Sequence, residues 1–267
     1  MRLEEVRGIA AAQALARSVI HDVAATLAAG DTERRVAERI EDRLTRAGVK
    51  VWLHTAYAWF GERTRFGGFH DWEPDALPTE RALLPGEPYI LDVAPFVDSY
   101  PADYAFSGVL GEAPDGTHRR LHDALTQVKS SLVTWAREAP SGRALFDAVG
   151  AAALAAGLEA VHPMYPGAVL GHRFDSLPRW LQWLPRTGWG FQLPLVAGYG
   201  LAIFRHHLRG TPYPLLNPVT SGRPVGIFAV EPHLATGKVG AKFESILLID
   251  GDETRWLDPG LYGEVIG

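Results

Sequence analysis

Apolar residues recur at helical spacing through the first fifty positions. Leu3, Val6, Ile9, Ala12, Ala16, Val19, Val23 and Leu27 form one stripe, which predicts a helix over 3–29 closed by Gly30. Asp31 or Thr32 can cap a second helix, in which Val36, Ile40 and Leu44 share a face and Gly48 marks the end. Val51–Leu53 reads as a short strand. Residues 55–88 read as an irregular aromatic segment, with Tyr57, Trp59, Phe60, Phe66, Phe69 and Trp72. Helical patterning returns from His118 to about Glu138, and again from Ser141, as N-cap, to Gly157. The stretch 176–201 holds Trp180, Trp183, Trp189, Phe191 and Tyr199 among prolines and glycines. It reads either as a packed aromatic excursion or as a lid that shapes a substrate pocket. Gly226–Pro232 and Ala241–Asp250 read as strands, followed by a Gly251-Asp252 turn and a short tail.

Two strand pairs break this apolar pattern with carboxylates. In YILDVAPFVDSYPADYAFSG, residues 89–108, Asp92 and Asp103 lie on the two arms of a predicted hairpin. In the last strand pair, Glu231 and Glu244 each interrupt an apolar run. A buried carboxylate is costly unless it is paired, and four that converge repel one another unless cations or protons lie between them. His172, delivered by the apolar run AVLG, is the imidazole candidate to join them. The order of elements predicts an α+β fold with largely antiparallel pairing and helices packed on the sheet. The halves 3–138 and 141–250 each place helices before a carboxylate-bearing strand pair, which suggests an internal pseudo-repeat.

Composition narrows the chemistry. The 267 residues include no cysteine, so disulfides and thiolate ligands are excluded, and a metal here must use carboxylates and imidazoles. Hard oxygen donors with one imidazole suit manganese, iron, cobalt or zinc. A net charge of −5 gives no basic stripe, so a nucleic-acid partner is not expected. No apolar run reaches the length of a membrane span, and the N-terminus lacks a signal-peptide pattern; a cytoplasmic protein is the expectation.

Asp92, Asp103, His172, Glu231 and Glu244 resemble, in order and type, the five metal ligands of the pita-bread metallopeptidases. That family includes methionine aminopeptidase, aminopeptidase P, prolidase and creatinase. LDVAPFVDSYPADYAFS is similar to the family's aspartate hairpin, Gly171-His172 to its glycine-histidine site, Glu231-Pro232 to its glutamate-proline strand end, and GAKFESILLI to its final glutamate strand. The resemblance implies a pita-bread fold: a largely antiparallel curved sheet, helices on its outer face, and pseudo-twofold halves. It implies two divalent ions, with Asp92 on one, His172 and Glu231 on the other, and Asp103 and Glu244 bridging. A water between the ions would attack an amide or similar C–N bond, and Glu231 would shuttle the proton.

The chain also departs from that pattern. GHRFD replaces the small residues and second histidine that usually follow the ligand histidine. His206 and His70 are the candidates for the missing catalytic histidines, His233 for a pocket role, and His54 a weaker choice that a solvent-facing strand position would also explain. Arg63, Arg65, Arg173 and Arg205 are candidates to hold a substrate carboxylate, or ordinary surface arginines. Residues 1–267 are expected to form one catalytic domain with no separate N-terminal domain. The expected activity is hydrolysis of a short peptide or small amide, with a homodimer as one expectation for assembly. The alternative is a non-peptidase metalloenzyme of the same fold, performing creatinase-like C–N hydrolysis or iron- or manganese-dependent oxidative chemistry on a small metabolite. A non-catalytic binding protein has no need of four converging carboxylates.

Overall fold

The computed structural model describes residues 3–67, 69, 75–112, 116–162, 168–174, 215–251 and 253–257. Helix α1, Leu3–Ala24, buries Ala12, Ala16, Ile20 and Val23. It ends five residues before the predicted boundary, its last carbonyls taken up by the Ala25, Thr26 and Leu27 N–H groups. In α2, Glu33–Arg46, the Thr32 side chain accepts from the Arg35 N–H, and Val36, Ile40 and Leu44 are fully buried.

Strand β1, Val51–Phe60, is far longer than predicted and claims Tyr57, Trp59 and Phe60 from the segment read as irregular. Its residues are too uniformly apolar to show a polar alternation, because both of its faces are covered. Ala56, Ala58 and Phe60 pack into the main core under the helices, while Tyr57 and Trp59 join Ala76 and Ile90 in a second cluster on the opposite face. A 3₁₀ turn, Gly61–Arg65, follows. Strand β2, Pro88–Val97, lies between β1 and β4, Tyr104–Val109, and all of its pairings are antiparallel. The two-residue connection Asp98-Ser99 leads into β3, Tyr100–Pro101; φ of 49° and 77° match a type I′ hairpin turn.

Helices α3, Thr117–Glu138, and α4, Gly142–Ala155, open the second half, α4 capped by Ser141. The boundary between the halves thus falls before α3 and not after Glu138 as expected, because α3 packs on α4 and on the later strands. They precede β5, Glu159–Ala160, β6, Gly171–Phe174, β7, Leu215–Leu216, and β8, Gly226–Val230. Then come β9, His233–Thr236, β10, Val239–Lys242, β11, Ser245–Asp250, and β12, Glu253–Trp256. The single strand predicted over 241–250 is thus two strands, and the predicted tail begins with a third. The strands form two antiparallel sheets, β10-β9-β5 and β12-β11-β8-β6-β7. The expected α+β architecture is present, with two helices ahead of the strands in each half. No helix among the described residues is long and apolar enough to cross a membrane.

Glu33 ties the first half together. Fully buried, its carboxylate accepts from the Phe60 N–H at 3.0 Å, Arg63 Nε at 3.0 Å, the Thr79 N–H at 2.9 Å and the Thr79 hydroxyl at 2.6 Å. Arg63 also donates to the Asp75 and Leu77 carbonyls, so it is a structural arginine rather than a substrate clamp. Glu33→Ala strands buried donors and is expected to cost about 3 kcal/mol, read as a lower urea midpoint with an unchanged slope.

Candidate metal centre

The two halves meet along β4. Lys242 N–H donates to Ser107 Oγ at 2.8 Å, and that hydroxyl donates back to the Lys242 carbonyl at 2.6 Å. Two residues on, the Glu244 N–H donates to the Ala105 carbonyl at 3.1 Å. Ala105 is the β4 partner of Asp92, so Asp92 and Glu244 are brought beside each other across one strand. Glu244 sits in the break between β10 and β11, not inside a strand.

Each remaining residue has its own support. Asp103 is held through its backbone: its N–H donates to Gln13 Oε1 at 3.0 Å, and Gln13 Nε2 donates to its carbonyl at 2.7 Å. Gln13 comes from α1 and is fully buried. His172 pairs with Ala229 in the β6–β8 ladder. Gly171 lets β6 approach, since a Cβ there would lie 2.3 Å from the Ala229 carbonyl oxygen. Glu231 follows β8 directly and donates its N–H to the Leu170 carbonyl at 2.8 Å.

All five predicted ligands are therefore buried in one place, each 2–3% exposed. His172 Nε2 lies 3.3 Å from Asp103 Oδ2. Two groups offer ligand atoms within 4.8 Å of one another: Asp103 with His172 and Glu244, and Asp103 with Asp92 and His54. Glu231 belongs to neither group. It joins through Lys242, whose Nζ donates to Asp92 Oδ2 at 2.7 Å, Glu231 Oε2 at 3.0 Å and Glu244 Oε2 at 3.1 Å.

Lys242 is the member of this cluster that the sequence does not announce. The signal was the Lys-x-Glu spacing in GAKFESILLI, which puts 242 and 244 on one side of an extended chain. One ammonium does not balance four carboxylates. Burial, then Asp103 and Glu231, push the Glu244 carboxyl well above its usual range. Burial opposes the charge on Lys242, but Asp92, Glu244 and Glu231 outweigh it and raise its pKa. Asp92 Oδ1 and Asp103 Oδ1 are buried with no hydrogen-bond partner among the described residues. Orphaned carboxylate oxygens, uncompensated charge and an adjacent imidazole are what a divalent cation with oxygen and nitrogen ligands requires. The donor set fits the metal that the resemblance implies.

The other histidines divide. His70 and His206 lie outside the described residues, as does Arg205. His233 does not face solvent: fully buried, it contacts the Thr64 carbonyl through Nε2 at 2.7 Å and sits edge-on to Phe66. His54, for which a solvent-facing position was one reading, is buried beside Asp92 and Asp103. Burial would lower its pKa, but the two aspartates outweigh burial and raise it. Arg65 is occupied by Glu159 at 2.6 Å and the Gly237 carbonyl at 2.9 Å.

Lys242→Met is expected to lower the stability of the metal-free protein by about 3–5 kcal/mol, because it leaves three buried carboxylates without their cation. Divalent metal should then raise the melting temperature of the variant more than that of the unsubstituted protein, a comparison made by calorimetry. His162, buried and accepting the His233 N–H through Nδ1 at 3.2 Å, is held down to about 4, chiefly by burial. Below its ordinary value near 6.5 the unfolded chain takes up this proton first, so the stabilisation is complete above pH 6.5 and is lost as pH falls to 4. The loss across that window is expected to reach about 3 kcal/mol. His162→Gln should flatten the slope of unfolding free energy against pH.

The fold matches solved structures along nearly its whole length. It superposes on an X-Pro aminopeptidase from Thermotoga maritima with a TM-score of 0.69 at 17% identity, covering 98% of this chain and 62% of that one. For a prolidase from Pyrococcus furiosus the values are 0.68, 16%, 96% and 64%. The chain thus spans about three fifths of those proteins. Against a methionine aminopeptidase from Thermotoga maritima it has a TM-score of 0.66 at 14% identity and covers 97% of this chain and 98% of that one. A search of curated proteins returned no match. The pita-bread fold expected from the sequence is the fold observed. The sequence model of metallopeptidase family M24 matches residues 7–251, and with the carboxylate and histidine cluster in place the chain belongs to that family.

Proposed function

We propose that residues 1–267 act as one catalytic domain that hydrolyses a peptide or amide C–N bond in a small substrate, using two divalent ions held by Asp92, Asp103, His172, Glu231 and Glu244. The observation that carries this is the pair of buried ligand groups that share Asp103. A shared carboxylate is the natural bridge between two cations, which it lets lie close together. Manganese, iron, cobalt and zinc all suit the donors.

Cations bound there would supply a water whose pKa is lowered toward neutrality and would polarise the substrate carbonyl. The protein does the rest. Glu231 takes the proton from the attacking water and returns it to the leaving nitrogen. Its Oε2 accepts from Lys242 Nζ at 3.0 Å, a contact that orients the carboxylate. Asp103 keeps its orientation through the Gln13 clamp on its backbone. His70 and His206 are assigned as the accompanying catalytic histidines. The dense packing around Asp92 and His172 keeps bulk water from the site.

The alternative, a non-peptidase enzyme of the same fold, is favoured by Arg173, Phe174 and Asp175 standing directly after His172. Metal-loaded protein assayed on a panel of dipeptides and aminoacyl amides should turn over at least one; no turnover on any of them moves the assignment to the alternative. Glu231→Gln is expected to lower kcat by about 100-fold or more while the fold is retained. Full activity in that variant removes Glu231 as the proton shuttle.

A further inference from the structure

Two buried carboxylate oxygens of the centre face a histidine that the five-ligand pattern does not include. Asp92 Oδ1 and Asp103 Oδ1 have no hydrogen-bond partner among the described residues, and both point toward the same neighbour, His54. His54 Nε2 lies 3.7 Å from the first oxygen and 3.8 Å from the second. These separations are too long for hydrogen bonds. They are near the spacing of neighbouring ligands around one cation: two donors each about 2.1 Å from a metal at a tetrahedral angle lie roughly 3.4 Å apart.

The backbone is shaped to deliver this ring. Trp52, Ala56, Ala58 and Phe60 all pack into the core beneath the helices, so an unbroken pleat would send His54 there as well. The β1–β2 register instead shifts between Trp52 and His54, and again between His54 and Tyr57. Paired irregularities of this kind turn one side chain to the other face of a sheet, here the face that carries Asp92. Glu41 on α2 secures the distortion. Its Oε1 accepts from the Ala56 N–H at 3.1 Å and from the Thr55 hydroxyl. The ring stacks on Tyr57, with centroids 4.8 Å apart and planes inclined by 25°. Its Nδ1 lies 2.7 Å from the Thr55 carbonyl oxygen, which can only accept, so Nδ1 carries a proton and Nε2 is the nitrogen presented to the carboxylates. A backbone carbonyl on the far nitrogen is the arrangement that orients metal-bound histidines.

We propose that His54 is a sixth metal ligand, which binds a divalent ion through Nε2 together with Asp92 and Asp103. This rests on the reading of the cluster as a metal centre. It alters one half of that centre: the ion on Asp92 gains an imidazole that the family pattern does not supply. Each ion would then have one histidine, His54 on one side and His172 on the other, with Asp103 between them.

The test is metal binding rather than turnover. Protein purified without chelator is titrated with manganese or cobalt, with affinity read by calorimetry and stoichiometry by elemental analysis. Relative to the unsubstituted protein, His54→Gln is expected to lose one equivalent or to bind it at least about tenfold more weakly. Asp103→Asn should weaken both equivalents. Equal stoichiometry and affinity in His54→Gln would overturn the proposal and leave His54 as a charge partner of the aspartates. An unsubstituted protein that binds no metal would instead remove the metal centre itself, a separate failure. If His54→Gln does not fold, the cobalt-loaded unsubstituted protein still decides. Ligation through Nε2 leaves an exchangeable Nδ1–H on each bound ring, so proton NMR should show at least two hyperfine-shifted imidazole N–H signals. A single such signal overturns the assignment.

Discussion

The structure depends on keeping four carboxylates in one dry place. Asp92, Asp103, Glu231 and Glu244 are nearly inaccessible to water, and their mutual repulsion opposes the docking that brings them together. Lys242 meets part of that cost with contacts to three of the four. The remainder is set against rigid backbone joints on both sides. Gln13 grips Asp103, and the Ser107 and Ala105 contacts grip Lys242 and Glu244. The polar centre is therefore also the joint between the halves, and its chemistry and the packing of the fold are one problem.

The helices, the hairpin and the five residues that cluster were readable because each leaves a periodic or chemical mark. Val36, Ile40 and Leu44 repeat at helical spacing, and Asp92 stands out in an apolar strand because a charge there is expensive. What was not readable shares a different property. β1 is buried on both faces, so Tyr57, Trp59 and Phe60 lose the alternation that marks a strand, and the segment looked like an aromatic loop. The break at Glu244 between β10 and β11 is invisible in a continuous apolar run, since it depends on a bridge to Ala105, far away in the chain.

The histidines make the same point more sharply. His172 was found because a glycine and an apolar run delivered it into a pattern of acids. His54 lacked such a frame. Its position comes from two shifts in strand register and from Glu41 on another element, and no local sequence rule encodes either. His233 shows the converse. It sits close to Glu231 in sequence, and its ring contacts the Thr64 carbonyl in the core. Adjacency along the chain told less about these rings than the pairing partner of their strands.

The seam at β4 has a consequence for the order of events during synthesis. Asp92 and Asp103 emerge from the ribosome some 130 residues or more before Glu231 and Glu244, and Lys242 is among the last of the cluster to appear. Until β10 docks on Ser107 and Ala105, the first half carries two aspartates aimed at a neighbour that does not yet exist. The cluster is complete only once the second half has closed over the first, through the contacts of Lys242 and Glu244 with β4.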